Sequence, residues 1–459
     1  MRILQYICLS GNKHCASLRA RSSLKLFVFG PRLPRLPLLP MPAPAASPAQ
    51  PKMATGPLAG VRVLDLTSVV LGPLATQILG DFGADVIKVE SLEGDLMRAN
   101  GVTRHPGMSS IFLAINRNKR SLALDLKAPA ALDAMRALLR GVDVVVHNMR
   151  VAAVERLGLG YAQVAAINPR VVYCVATGFG QDGPDAARPA FDDVIQAACG
   201  MAALIGHDRP TPEFVPSLIA DKTTGLALVN AVLAALFHRE RSGEGQYVEV
   251  PMLETMVAFT LAEHLGGLTY EPATAKAGYA RLLAGGRKPT PTRDGHVSML
   301  PYTGAHWVAL FKRVGREDLT HKYDLKNRYE RNKRIVELYA DLADVARQMS
   351  TDECLALCDR LDIPATRIYA LDELPDHPHL KAVGLFQKLD HPTEGATITV
   401  RPPTRFSRTP AQVRHPAPQL GQHSVECLAE AGLSPADIER LKKDGVLKQY
   451  QPDAGAGTP

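Results

Sequence analysis

Short apolar runs alternate with helical stretches along the first half of the chain. Val61–Leu66, Ala84–Val89, Ser121–Leu126, Val142–His147 and Val171–Ala176 are compact apolar segments, each ending where a loop begins. Between them, Gly72–Phe82 and Ala128–Arg140 carry the spacing of helices. Strand–helix–strand units of this kind predict an α/β fold with a parallel sheet and right-handed crossovers. Ligands in open sheets of that type bind outside the carboxyl ends of the strands.

The stretch Val215–Glu254 has a different grain. Pro216–Asp221 is an apolar approach ending on a lone carboxylate, and Thr223–His238 predicts a helix with Leu226, Val229, Val232, Leu233 and Phe237 on one face. Gly243 to Gly245 then turns the chain into a strand over Gln246–Val250. Asp221 therefore stands just ahead of a long buried helix, where Gly225 allows another backbone to approach closely. Such a carboxylate is either an N-cap or a nucleophile.

Beyond it, residues 279–386 mix short strands such as His296–Leu300 with amphipathic helices such as Arg334–Met349, as expected of a smaller α+β domain. That domain divides a large domain at 56–242, joined by a linker helix at 243–278, from a C-terminal return at 387–450, and residues 451–459 form a disordered tail. Residues 1–55 read as a disordered or targeting extension, with eight prolines between Pro31 and Pro51. Two origins fit that composition: a mitochondrial transit peptide, or upstream sequence preceding a start at Met53.

Charge changes the picture less than its total suggests. Net charge is +7, but residues 1–60 hold eight Lys and Arg and no acid, so the rest of the chain is close to neutral. Local cations on a neutral body suit a small anionic ligand and argue against a nucleic-acid partner. No apolar run reaches the roughly 18 residues of a membrane span, since Asn230 interrupts Leu226–Phe237. Seven irregularly spaced cysteines fit free thiols in a reducing compartment, the cytoplasm, or the mitochondrial matrix if a transit peptide is present. Cys354 and Cys358 have no partner pair at zinc spacing, so no metal is expected. Gly178, Gly180 and Gly183 satisfy GxGxxG, but Pro184 follows at once and Thr67–Pro73 lacks the glycine fingerprint. A nicotinamide cofactor is not implied.

The segment PLAGVRVLDLTSVVLGPLATQILGDFGADVIKVE and the Val215–Glu254 stretch together resemble the class III coenzyme A-transferases, from about Gly56 to about Gln449. The resemblance implies a Rossmann-like large domain formed by both ends of the chain, and an interlocked homodimer. It implies that Asp221 is the catalytic nucleophile and that Asp192 is an acidic neighbour holding the acyl intermediates; Asp192 also fits a helix cap. Coenzyme A or acyl-CoA is then a substrate, with no permanently bound cofactor, and the other partner is a free carboxylic acid. Carried over by position, the CoA contacts are Val70, Leu71, Lys127, Asn148, Arg150, Arg156 and Met252. Ser91 stands where many relatives place an Arg over the adenine.

Family chemistry follows from what a carboxylate does to a thioester: an aspartyl anhydride forms, then an aspartyl-CoA thioester. Backbone donors stabilise each oxyanion, and water must be kept out. A substrate loop at Gly285, Gly286 and Arg287 is expected to close the site, with Arg287 or Arg281 pairing the acceptor's carboxylate. Two rivals remain open. Related racemases carry a His-Asp pair where this chain has Phe191 before Asp192, and a CoA-binding protein without turnover would keep the fold and lose the chemistry.

Overall fold

A computed structural model describes residues 55–285 and 287–452. The expected extension at 1–55, apart from its last residue, lies outside the described residues, as do Gly286 and residues 453–459.

The strands are β1 Arg62–Leu66, β2 Asp85–Glu90, β3 Lys119–Leu124, β4 Val144–His147, β5 Val172–Thr177, β6 Gln246–Pro251, β7 Thr290–Pro291, β8 His296–Met299, β9 Ala365–Arg367, β10 Phe386–His391, β11 Gly395–Val400 and β12 Leu447–Lys448. Seven of them form one sheet in the order β12-β3-β2-β1-β4-β5-β6. Its pairs are parallel except for β12, which runs antiparallel to β3 through Leu447 with Leu124 and Lys448 with Ala123. The last described strand thus joins the sheet begun by the first, so both ends of the chain build it.

Each face of the sheet has its own core. Val63, Val86, Val144 and Val172 pack on one side against the Leu71–Asp81 and Ile219–Ser242 helices. Leu64, Ile87, Leu122 and Val145 pack on the other against the Pro129–Leu139, Ser424–Glu430 and Pro435–Lys443 helices. Strands covered on both faces need apolar side chains at successive positions, which is why the runs read as Val-Val-Val rather than as an alternation. A further core around Trp307, Phe311, Leu338 and Leu342 belongs to residues 297–363, beside the three-stranded β7-β8-β9 sheet.

Three local expectations change. β3 spans Lys119–Leu124 rather than Ser121–Leu126, so Lys127 lies in the loop three residues beyond its end. In the segment at 243–278 the expected strand is present as β6, and the linker helix is confined to Met252–His264 with a short turn after it. The long helix starts at Ile219, before Asp221, and ends at Gly243 in the left-handed conformation that glycine adopts without strain. Its buried side is Leu228, Val229, Val232, Ala235 and Leu236, whereas Leu226 and Phe237 are 54% and 63% exposed. This helix meets the length and apolarity of a membrane span, yet half of its most apolar window is buried in the fold.

Candidate active site

Asp221 is the third residue of the Ile219–Ser242 helix, and the position before the helix is Leu218, which offers no capping side chain. The N-cap reading of Asp221 therefore fails. The close approach foreseen at Gly225 holds: a Cβ there would stand 2.8 Å from the carbonyl oxygen of Leu71. That contact brings the start of the Leu71–Asp81 helix against the turn carrying Asp221.

A second helix, Asp192–Ala198, fixes the approach from the other side. The Asp221 backbone N–H donates to Asp192 Oδ2 at 2.9 Å, and Gln196 Nε2 donates to Asp192 Oδ1 at 2.6 Å. Gln196 Oε1 in turn accepts from the Val215 N–H at 2.9 Å. Asp192 opens its helix but caps nothing in it, because Phe191 occupies the cap position; that reading is corrected too. Asp221 itself is 8% exposed, and among the described residues its carboxylate has no hydrogen-bond donor. Burial, and then the neighbouring Asp192 charge, push it up to about 7.

Two adjoining cavities open at the carboxyl ends of the strands. The first, about 330 Å³, is lined by Asp221, Leu71, Asn148, Arg150 and Met252, with Gln181, Ala186 and Arg188–Phe191 as one wall. The second, about 670 Å³, lies over the ends of β1, β2 and β3 and carries Lys127 and Arg156. Ser68, Leu96 and Met149 line both, so one extended ligand can occupy the pair. Six of the seven expected CoA contacts line one cavity or the other, Lys127, Arg150 and Arg156 with charged side chains and Leu71 and Met252 as buried apolar wall. Val70 does not: its side chain is buried against Met97 and Ile115, and Val69 takes its place on the wall. Asn148 lines the first cavity, but its amide is spent on Ser68, accepting from the Ser68 N–H at 3.0 Å and donating to the Ser68 oxygen at 2.8 Å.

The expected substrate loop is not assembled at this site. Gly285 and Arg287 line neither cavity, and Gly286 lies outside the described residues. The basic cluster beside it is dispersed, with Lys288 on Asp208 at 2.8 Å and Arg293 on Glu353 at 3.2 Å. The Gly178–Gly183 loop also uses its donors internally. The N–H groups of Gly180 and Gln181 each donate at 2.9 Å, to Glu254 Oε1 and Glu249 Oε1, so these two are not free for a pyrophosphate.

Sequence reading missed a clamp under the first loop. Val69 sits at φ +71°, a conformation that strains a β-branched residue. Its N–H donates to Asp95 Oδ1 at 3.2 Å, while Lys88 Nζ donates at 2.8 Å both to Asp95 Oδ2 and to the Thr67 oxygen. Lys88 is fully buried, and burial, which opposes its charge, is outweighed by Asp65, Asp95 and Glu90, which hold its pKa above the ordinary value. Next to it, Asp65 accepts from Lys119 Nζ at 3.0 Å and from Thr76 Oγ1 at 2.6 Å. Burial raises the Asp65 pKa, but Lys119 and Lys88 prevail and hold it at about 2. The lysine in the middle of the apolar run VIKVE was the signal for this network.

The cavity pair thus carries Lys127 and Arg156 at one end and the buried Asp221 at the other. Residues 58–424 match the model of CoA-transferase family III. A succinate–glutarate CoA-transferase from Agrobacterium fabrum is 33% identical over 390 residues, covering 82% of this chain and 95% of that relative. The mouse succinyl-CoA:glutarate CoA-transferase is 30% identical, covering 86% of this chain and 91% of that protein. Among solved structures, a CAIB/BAIF family protein from Brucella suis superposes with a TM-score of 0.70 at 29% identity, covering 82% of this chain and all of that one. The chain belongs to CoA-transferase family III.

Proposed function

We propose that this enzyme moves coenzyme A from the thioester of a dicarboxylic acid to a second carboxylic acid, with Asp221 as a covalent nucleophile. The observation that carries the reading is a buried carboxylate lining a cavity that continues into a second, cation-lined one. Lys127 and Arg156 hold the phosphates, and the pantetheine arm crosses Ser68, Leu96 and Met149 to bring the thioester to Asp221. The named activities of the A. fabrum and mouse relatives support a dicarboxylic donor.

In this reading the Asp221 carboxylate attacks the thioester carbonyl, forming a mixed anhydride and expelling CoA thiolate. The thiolate then attacks the Asp221 carbonyl, releasing the donor acid and leaving an aspartyl-CoA thioester. The acceptor carboxylate attacks that thioester and displaces CoA thiolate. The thiolate then attacks the acyl carbonyl of the new anhydride, which yields the product thioester and restores Asp221. The reactive form is the anion, so the elevated pKa places the enzyme's acid limb near neutrality. Asp192 acts as a positioning residue, because both of its oxygens accept hydrogen bonds from protein.

A homodimer fits the exposed apolar side chains Leu226 and Phe237 on the long helix and Phe259, Leu268 and Tyr270 after it. A reducing compartment, the cytoplasm or the mitochondrial matrix, fits the five described cysteines, which are buried and unpaired.

The test is intact-protein mass after brief incubation with succinyl-CoA and trapping with hydroxylamine, on wild type and Asp221→Asn. A label confined to Asp221 and absent from the variant is expected. A label elsewhere, or α-proton exchange with deuterated water in place of acid-to-acid transfer, would refute the nucleophile assignment.

A further inference from the structure

We infer that Arg188 binds a second carboxylate at the far end of the acyl group, and so selects dicarboxylic over monocarboxylic substrates. The inference rests on the CoA-transferase reading and adds the residue that would read the acid.

Strand order sets the direction of the ligand. The second cavity, with Lys127 and Arg156, lies over the ends of β3, β2 and β1. The residues common to both cavities, Ser68 and Met149, follow β1 and β4, the next strand across the sheet. The opposite wall of the first cavity comes from the loop after β5, one strand further, at Gln181, Ala186 and Arg188–Phe191. A thioester whose nucleotide lies on Lys127 and Arg156 therefore crosses Asp221 with its acyl tail pointing at that wall.

Chemistry at the wall is selective. Pro189, Ala190 and Phe191 are apolar, and Gln181 is spent, its Nε2 donating to the oxygens of Phe179 at 3.0 Å and Ala186 at 3.3 Å. Arg188 is the cation there. Its backbone is fixed by an N–H bond to the Asp185 oxygen at 2.9 Å, and its guanidinium lies 5.9 Å from the Phe179 ring centroid. Its ion pair is with Asp185 at 3.1 Å, between side chains 66% and 43% exposed. Exposed pairs of this kind contribute little and exchange readily, whereas a guanidinium meeting a substrate carboxylate inside the cavity makes two parallel charged hydrogen bonds. Need for a cation is also clear. Asp192 and Asp221 are adjacent carboxylates, and a distal substrate carboxylate near them must be neutralised. Of the basic side chains near Gly285, Lys288 and Arg293 are paired elsewhere, and Arg281 and Arg287 line neither cavity.

The test compares glutarate with valerate, acids of equal carbon number, as acceptors from succinyl-CoA, using wild type, Arg188→Gln and Arg150→Gln. Arg188→Gln should lower kcat/KM for glutarate by about 10- to 100-fold, the effect of one charged hydrogen-bonding group, and leave valerate unchanged or improved. Arg150→Gln, on the β4 side, should affect both acids alike. Loss of both acids equally in Arg188→Gln, no loss with glutarate, or a wild type preferring valerate would each overturn the inference while leaving CoA transfer intact. A wild type that transfers CoA to neither acid would refute the transferase reading, and this inference with it.

Discussion

Asp221→Asn is expected to make the protein more stable, and increasingly so as pH rises. The Asp221 carboxyl has an ordinary value of 3.8 and is pushed up to about 7 in the fold, first by burial and then by Asp192. Between those values the folded chain keeps a proton that the unfolded chain has lost. Stability is therefore undiminished below about pH 3.8, falls as pH rises toward 7, and is flat above. At about 1.4 kcal/mol per pH unit the full cost is about 4 kcal/mol. The helix dipole at this first-turn position favours the anion and trims it by about 0.3 to 1 kcal/mol. Burying an unpartnered amide costs about 1 to 3 kcal/mol but does so at every pH. The discriminating quantity is thus the change with pH: the variant's advantage in urea unfolding should grow by about 2 kcal/mol between pH 5.5 and pH 8. An advantage of equal size at both pH values, or one shrinking toward pH 8, would show that Asp221 does not titrate as its surroundings dictate. The same variant should be inactive, so stability and activity would separate at a single residue.

Removing the neighbouring charge with Asp192→Asn should lower the Asp221 pKa and move the acid limb of kcat/KM to lower pH; an unmoved limb would leave burial as the only cause. Gly225→Ala normally gains about 1 kcal/mol in a helix, but here the added methyl would meet the Leu71 oxygen at 2.8 Å, so a loss of about 1 to 3 kcal/mol and reduced kcat are expected in denaturant titration and kinetics. Lys127→Ala and Arg156→Ala should each raise KM for acyl-CoA by about tenfold without changing kcat, and steady-state kinetics with 3′-dephospho-CoA thioesters should show the effect shrink if either cation holds the 3′-phosphate.

The sheet was legible because double-sided burial leaves an unmistakable run of apolar residues, as in Val144–Val146. β1, β2, β4 and β5 lie within two residues of where the pattern put them. The start of the long helix was not legible, because Leu218 carries none of the side chains that mark a helix beginning. Nor was its buried side, since apolar residues occupy both faces and exposed Leu226 reads like buried Leu228. Asp221 stood out in the local pattern and resemblance chose between its two readings, Asp192 was found through resemblance, and only the fold puts the Asp192 carboxylate on the Asp221 backbone. Val69 and Arg188 gave no signal of their own. The conformation of one is imposed by Asp95 and Lys88, and the place of the other comes from strand order rather than from local sequence.

The strained Val69 has a consequence for how this sequence can change. Its left-handed backbone is held by Asp95, which is in turn held by the fully buried Lys88, so the three residues share one energy. Loss of Asp95 alone removes one of the carboxylates that hold the buried Lys88 ammonium and releases the loop, and both effects are harmful. A glycine at 69 would remove the strain first and make a later change at Asp95 less harmful. The order of substitutions then matters: a path through position 69 is open where the reverse path is closed.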